Sequence, residues 1–265
     1  MKTFFDFISK LLAALSHAAS DKAAEPDSPA PEKVSTVDTV PGWTGEPPYR
    51  YLDVSRWQGK IKMEGWAAIK DAGYKGVMLR ACGNSASYSP SKAYIDPTFE
   101  KNYANAKAAG LDIGVYYFTK AVSEAEADKE LAVLRHALRG KELTMPVAVD
   151  MEDVMLTFHK PKDLTNLAAY HLEQIEKMGF FAQFYTYTSY ANCYLEMERL
   201  AGRWDVWLAD YTGKTPKVDF HYGAHQHTSE GSVPGISGSV DLNVTTLNYP
   251  RIIRKKGLTR LREGA

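Results

Sequence analysis

Between residues 49 and 200, short β-rich runs alternate with longer helical ones five times in succession. YRYLDVS precedes a helical stretch at 63–72, GVMLRA one at 97–109, IGVYYFT one at 123–138, MPVAVDME one at 162–178 and FFAQFYTY one at 190–200. A strand followed by a crossover helix returns the chain to the same edge of a sheet, so the repeat predicts an α/β fold with parallel strands. The last third departs from it. DVWLAD, GAHQHT and SVDLNV read as strands, but the gaps at 211–222 and 229–238 are rich in Gly, Pro and Lys, and a crossover helix fits them poorly. Eight strands with five helices predict a barrel whose closing strands are joined by loops.

The flanks differ in character. In residues 1–20, Phe4, Ile8, Leu11, Leu12 and Leu15 share one face at helical period, while Asp6 and Lys10 interrupt the apolar run. Three readings compete there: an imperfect signal peptide, an amphipathic helix in contact with a membrane surface, or a helix that docks on a partner. Residues 21–48 hold Pro26, Pro29, Pro31, Pro41, Pro47 and Pro48 among Ala, Ser, Glu and Asp, a composition that buries no core and reads as a linker. The folded domain is expected over 49–250. Arg251, Arg254, Lys255, Lys256, Arg260 and Arg262 make 251–265 a basic segment, read as a solvated tail.

Lys and Arg together number 32, as do Asp and Glu, so the formal net charge is zero and binding to a nucleic acid is not expected. Cys82 and Cys193 form neither a disulfide framework nor a zinc pattern, and a single bridge between them stays open beside the commoner reading of apolar core cysteines. The seven His show no metal-ligand spacing, so neither metal nor cofactor is expected.

In a parallel barrel the chemistry gathers at the C-terminal ends of the strands. Those ends carry Asp53, Arg80, Tyr117, Asp150 with Glu152, Tyr185 with Tyr187, Asp210, Gln226 and Asp241. Asp150 and Glu152 are two apart and so share one face of an extended chain. Two carboxylates facing one cavity repel, which raises a pKa and keeps one of them protonated near neutral pH. Glycoside hydrolysis needs such an acid beside a second carboxylate. Each residue also has a plainer reading: Asp150 or Asp53 as a helix cap, Asp241 as a turn brace, and Arg80 as the partner of a nearby carboxylate. Tyr116 and Tyr117 alternate faces, so only one of them reaches the mouth.

The motifs YLDVSRWQG, GVMLRA, DPTFEKNYANAKAAGLDIGVYYFT, MPVAVDMED, FYTYTSY, VWLADY and SVPGISGSVDLN, in this order, resemble those of the family 25 glycoside hydrolases, lysozymes of the Chalaropsis type found in phage endolysins and bacterial autolysins. The resemblance implies an irregular TIM-like (β/α)5β3 barrel and N-acetylmuramidase activity on the peptidoglycan of bacterial cell walls, outside the cell; a monomer is expected, and the alternatives are a chitinase-like N-acetylhexosamine hydrolase or a catalytically silent glycan-binding domain. It implies Glu152 as general acid, with Asp150, Asp53 and Asp241 as the other acidic residues of the cleft. Arg80, Tyr117, Tyr185, Tyr187, Trp207, Asp210 and Gln226 are expected to bind the glycan. In one place the pattern departs from the family: His225, Gln226 and His227 stand where Trp-Gln and an aromatic are usual, which removes an apolar platform near the last strands.

Overall fold

The computed structural model describes residues 49–85 and 91–262; the N-terminal segment and the linker at 1–48 lie outside these. The five expected strand–helix units are present. β1 (Tyr49–Val54) leads to α1 (Met63–Asp71), β2 (Gly76–Asn84) to α2 (Phe99–Ala108), and β4 (Asp112–Phe118) to α3 (Glu124–Leu138). β5 (Val147–Asp150) leads to α4 (Pro161–Lys177) through a 3-10 turn at Val154–Phe158. β6 (Ala182–Tyr187) is followed by two short helices, α5 (Thr188–Tyr194) and α6 (Met197–Ala201), where one helix was expected. β7 (Asp205–Ala209), β8 (Ala224–Gly231) and β9 (Val240–Thr245) then follow one another with no helix between them. A short strand β3 (Ala93–Ile95), missed in the sequence, forms a hairpin with β2 outside the barrel wall.

Strands β1, β2, β4, β5, β6, β7 and β8 pair in that order, all parallel, and β9 closes the ring by pairing antiparallel to both β8 and β1. The antiparallel sense of β9 is a detail that the strand–helix repeat does not specify. Its cause is the length of the connection: the few residues after Gly231 permit a hairpin return, whereas a parallel crossover needs a dozen or more.

Alternation along the strands separates two buried layers. Leu52, Val54, Val77, Leu79, Ile113, Val115, Val147, Val149, Phe184, Val206 and Leu208 face outward and pack with the helices in one continuous core. Their neighbours fill the barrel itself, with Tyr51, Met78, Ala148, Tyr185, Trp207 and Ala224 all buried inside the ring. Gly76 and Gly114 are needed for this filling. A Cβ on Gly76 would run into the Met145 sulfur and the Tyr49 hydroxyl, and one on Gly114 into the Met78 sulfur.

The basic segment after residue 250 is not a solvated tail. Residues Tyr249–Lys256 form helix α7, with Tyr249, Pro250 and Ile253 buried. The Asn248 side chain accepts from the Arg251 amide to cap its start, Pro250 sits in the first turn, and Gly257 ends it at φ 66°. Tyr249 plugs the N-terminal end of the barrel by donating to half-buried Asp205 at 2.6 Å, while Arg254 pairs with Asp112 at 2.9 Å. Cys82 is buried, Cys193 is exposed, and both are free thiols.

Candidate active site

The mouth of the barrel gathers four carboxylates. Asp53, near the end of β1, lies directly opposite Asp241 in the antiparallel β1–β9 register, so their side chains share the inner face. Asp150 ends β5. The chain stays extended for one more residue, because the Met151 amide donates to the Tyr185 carbonyl at 3.2 Å and the Met151 carbonyl accepts from Thr186 Oγ1 at 3.2 Å. Glu152 therefore follows Asp150 onto the inner face. It is half-buried, whereas Asp150 and Asp53 are buried.

This environment holds protons. Burial, opposed by hydrogen bonds from Asn243 and Gln226, lifts the Asp53 carboxyl to about 6. Burial, helped by the charges of Asp53 and Asp153, lifts Glu152 to about 7. Asp150 is pushed well above the usual carboxylate range by burial and then by its neighbours Glu152 and Asp53. Arg80 works the other way on Asp150, but its guanidinium is already committed: Nε and Nη2 lie 2.7 and 2.6 Å from the buried Asp96 carboxylate. Asp150 Oδ1 is buried and accepts no hydrogen bond among the described residues. A buried acceptor open in this way is available to a donor on a bound ligand.

A polar floor fixes Asp53. Gln226 Nε2 donates to its Oδ2 at 2.8 Å and Asn243 Nδ2 at 2.9 Å. Gln226 is oriented in turn, its Oε1 accepting from Tyr185 at 2.9 Å and Tyr211 at 2.5 Å, and Asn243 Oδ1 accepts from Trp207 Nε1 at 2.8 Å. Trp207, expected to touch the glycan, is instead fully buried, packed among Tyr51, Tyr116 and Tyr185 beneath the carboxylates.

Tyr117 also departs from expectation. Its hydroxyl lies 2.7 Å from Nδ1 of His171 on α4, so it faces the helical layer, and its neighbour Tyr116 points into the barrel beside Trp207. Asp210 braces its own loop, accepting from Thr188 Oγ1 at 2.8 Å and from the Thr212 amide at 3.0 Å. Tyr187 is half-buried, and burial and then the charge of Glu152 push its hydroxyl pKa up. His225 and His227 alternate with Gln226 and so face away from the mouth; the His225 ring packs against Tyr222 and His227. Of the two consequences open for the absent Trp, a changed subsite or a repacked barrel wall, this placement favours the repacking.

Several residues of the site escaped the sequence reading. Asn243 is two residues beyond Asp241 on the same face, the spacing used for Asp150 and Glu152, and could have been found by it. Asp96, which holds Arg80, follows the overlooked β3. Asp153 pairs with Lys120 at 2.9 Å and caps the 3-10 turn by accepting from the Met155 amide at 2.8 Å, which fixes the chain just after Glu152. Of the large exposed apolar side chains, Trp57, Val122, Val154, Phe158 and Tyr211 lie on segments that leave the C-terminal ends of barrel strands, and Met63 begins α1.

A closed α/β barrel with buried carboxylates at its mouth is the layout of a barrel enzyme suited to acid–base chemistry. Comparison with known sequences narrows it: the model of Glycosyl hydrolases family 25 matches residues 52–236, and the chain belongs to that family. It is 30% identical over 195 residues to the autolytic lysozyme of Clostridium acetobutylicum, a match covering 72% of this chain and 54% of that one. Lysozyme M1 of Streptomyces globisporus is 26% identical over 210 residues, covering 72% and 66%. The chain thus spans about half to two thirds of the length of these relatives. Among solved structures, the lysozyme from Streptomyces coelicolor superposes with a TM-score of 0.63 at 22% identity, over 78% of this chain and 96% of that one. A family 25 glycosyl hydrolase from Bacillus anthracis gives 0.63 at 21%, over 77% and 92%. At these identities the two structures speak for the fold.

Proposed function

We propose that this chain is a peptidoglycan hydrolase that cleaves the β-1,4 bond between N-acetylmuramic acid and N-acetylglucosamine, with Glu152 as general acid. The observation that carries the reading is the protonation pattern of the cluster. Glu152 at about 7 keeps a proton near neutral pH, and it is the more accessible member of the pair it forms with Asp150. A general acid works best when its pKa lies near the operating pH. The open Oδ1 of Asp150 suits the N–H of the substrate's acetamido group. A hydrogen bond donated there stabilises the carboxylate and draws the Asp150 pKa down as substrate binds. So oriented, the acetamido oxygen attacks the anomeric carbon while Glu152 gives its proton to the leaving oxygen. Asp53, fixed by Gln226 and Asn243, and Asp241 opposite it supply negative charge beside the oxocarbenium-like centre.

Tyr185, Tyr187 and Tyr211 border this space, and the enzyme is proposed to act as a monomer at the cell wall. Among the described residues no helix is long and apolar enough to cross a membrane. The test is digestion of purified peptidoglycan, borohydride reduction and mass spectrometry, with Glu152→Gln as control. Fragments ending in reduced N-acetylmuramic acid, absent with the variant, are the expected result. Reduced N-acetylglucosamine ends would mean a different bond. No cleavage by the wild type would point to a glycan-binding module, and a folded Glu152→Gln protein that keeps most of its activity would remove Glu152 from the acid role.

A further inference from the structure

Beyond the carboxylate cluster, the loop after β1 and the β2–β3 hairpin build a second constellation on the rim. Trp57 is 66% exposed, the largest apolar surface on the loop that leaves Asp53. The Arg56 guanidinium carbon lies 5.0 Å from the centre of that ring and 5.7 Å from the centre of Tyr94, and its Nη1 donates to the Tyr94 hydroxyl at 2.8 Å. Among the described residues Arg56 has no carboxylate partner, unlike Arg80, whose charge Asp96 takes up.

The constellation is built rather than incidental. The Arg56 amide donates to Asp96 Oδ2 at 3.1 Å, the same oxygen that Arg80 Nε approaches at 2.7 Å. One carboxylate therefore ties the rim to the arginine whose charge acts on Asp150. Tyr94 is seated by a glycine: it pairs with Gly83 across the hairpin, and a Cβ on Gly83 would overlap the Tyr94 ring. A guanidinium flanked by two rings and tethered through one N–H keeps a fixed fork of donors for a planar anion, and an exposed indole face suits the apolar face of a pyranose.

We infer that Arg56, with Trp57 and Tyr94, forms a subsite for a carboxylate carried by the muramoyl residue of the glycan, the sugar stacking on Trp57 while the fork takes the acid. This rests on the peptidoglycan-hydrolase reading above. The carboxylate has two sources, the peptide stem or, where the stem is missing, the lactyl group itself.

The test compares the wild type with Arg56→Ala and Arg56→Lys, all exposed changes outside the acid cluster, on three soluble strands. One carries stems, one has been stripped by an amidase so that the lactyl acid is free, and one has its carboxylates capped as amides. Arg56→Ala is expected to lower kcat/KM about ten-fold on a carboxylate-bearing strand, the usual scale for losing a charge-assisted pair. Arg56→Lys, which keeps the charge and loses the fork, recovers part of that. On capped strands wild type and Arg56→Ala are expected to turn over alike. Loss on stem-bearing strands alone assigns the stem; loss on stripped strands alone assigns the lactyl acid. Equal activity of wild type and Arg56→Ala on both carboxylate-bearing strands overturns the inference, and so does an equal loss on all three. A wild type that releases no reduced muramic acid ends from any strand overturns the muramidase reading instead.

Discussion

Replacing Glu152 by Gln should make the protein more stable, and only at the alkaline side of the titration. A carboxyl whose pKa rises on folding favours the folded state while protonated. That contribution is complete below the unfolded pKa and is lost as the pH climbs through the folded one. For Glu152 the window runs from the ordinary 4.5 to about 7. At roughly 1.4 kcal/mol per pKa unit the full window is worth about 3.5 kcal/mol, discounted to about 3 kcal/mol because the side chain is half-buried and keeps some water.

Gln cannot ionise and has nearly the same shape, so the variant escapes this loss. It also frees Asp150 from the neighbour that, after burial, does most to raise its pKa. Thermal unfolding by circular dichroism from pH 4 to pH 9 is the measurement. The two melting curves should coincide near pH 4 and separate above pH 5. Near pH 8 the variant should lead by roughly 6–12 °C, at about 2–4 °C per kcal/mol for a domain of this size. A pH-independent gap, or a variant less stable at pH 8, would mean that Glu152 is an ordinary solvated carboxylate and that the electrostatic argument for the acid has failed.

The carboxylate cluster and the C-terminal helix each carry a further outcome. With Asp53 near 6 and Glu152 near 7, kcat/KM on soluble glycan strands should rise as the pH passes about 6 and fall as it passes about 7, a narrow bell whose limbs belong to the cluster as a whole; activity undiminished at pH 9 would detach the proton from Glu152. Truncation after Asn248 removes Tyr249, buried Ile253 and the Arg254–Asp112 pair, and should cost about 3–5 kcal/mol, read as a lowered urea midpoint; an unchanged midpoint would return 251–265 to a passive tail.

What the sequence disclosed, it disclosed through period. The five strand–helix units were legible because each apolar run is short, β-branched or aromatic, and bounded by a stretch of helical spacing. The mouth residues were legible because they close those runs. Side-chain direction was the harder matter. Tyr116 and Tyr117 are both aromatic and both near the end of β4; the period of two through Ile113 and Val115 puts Tyr117 on the helix side, where His171, 54 residues on, meets its hydroxyl. Trp207 has the chemistry of a sugar platform, but its depth is set by Tyr51, Tyr116 and Tyr185 from three other strands, which no local pattern encodes. The case of α7 is different. Asn248, Pro250 and Gly257 are ordinary start and stop signals, and they were overridden by the density of Arg and Lys between them. Those charges sit on the outer side of a helix whose Tyr249 and Ile253 are core.

Asp241 was placed at the mouth by a rule that does not apply to its strand. The rule looks for polar residues at the C-terminal ends of parallel strands, whereas Asp241 is at the beginning of β9. It reaches the mouth because β9 runs the other way, which follows from the short connection after β8. The consequence extends along the whole barrel axis. Antiparallel register sets Asp241 against Asp53, Asn243 against Tyr51 and Thr245 against Tyr49, so one strand supplies an acid to the top layer, the amide that fixes Asp53 to the middle, and a small polar group to the bottom. A slip of one residue would turn Leu242 and Val244 inward, remove both Asp241 and Asn243, and leave Asp53 with Gln226 alone. The three strands without helices thus supply one of the four carboxylates and the two amides that fix another, and the register of β9 is as much a condition for the proposed chemistry as Glu152 itself.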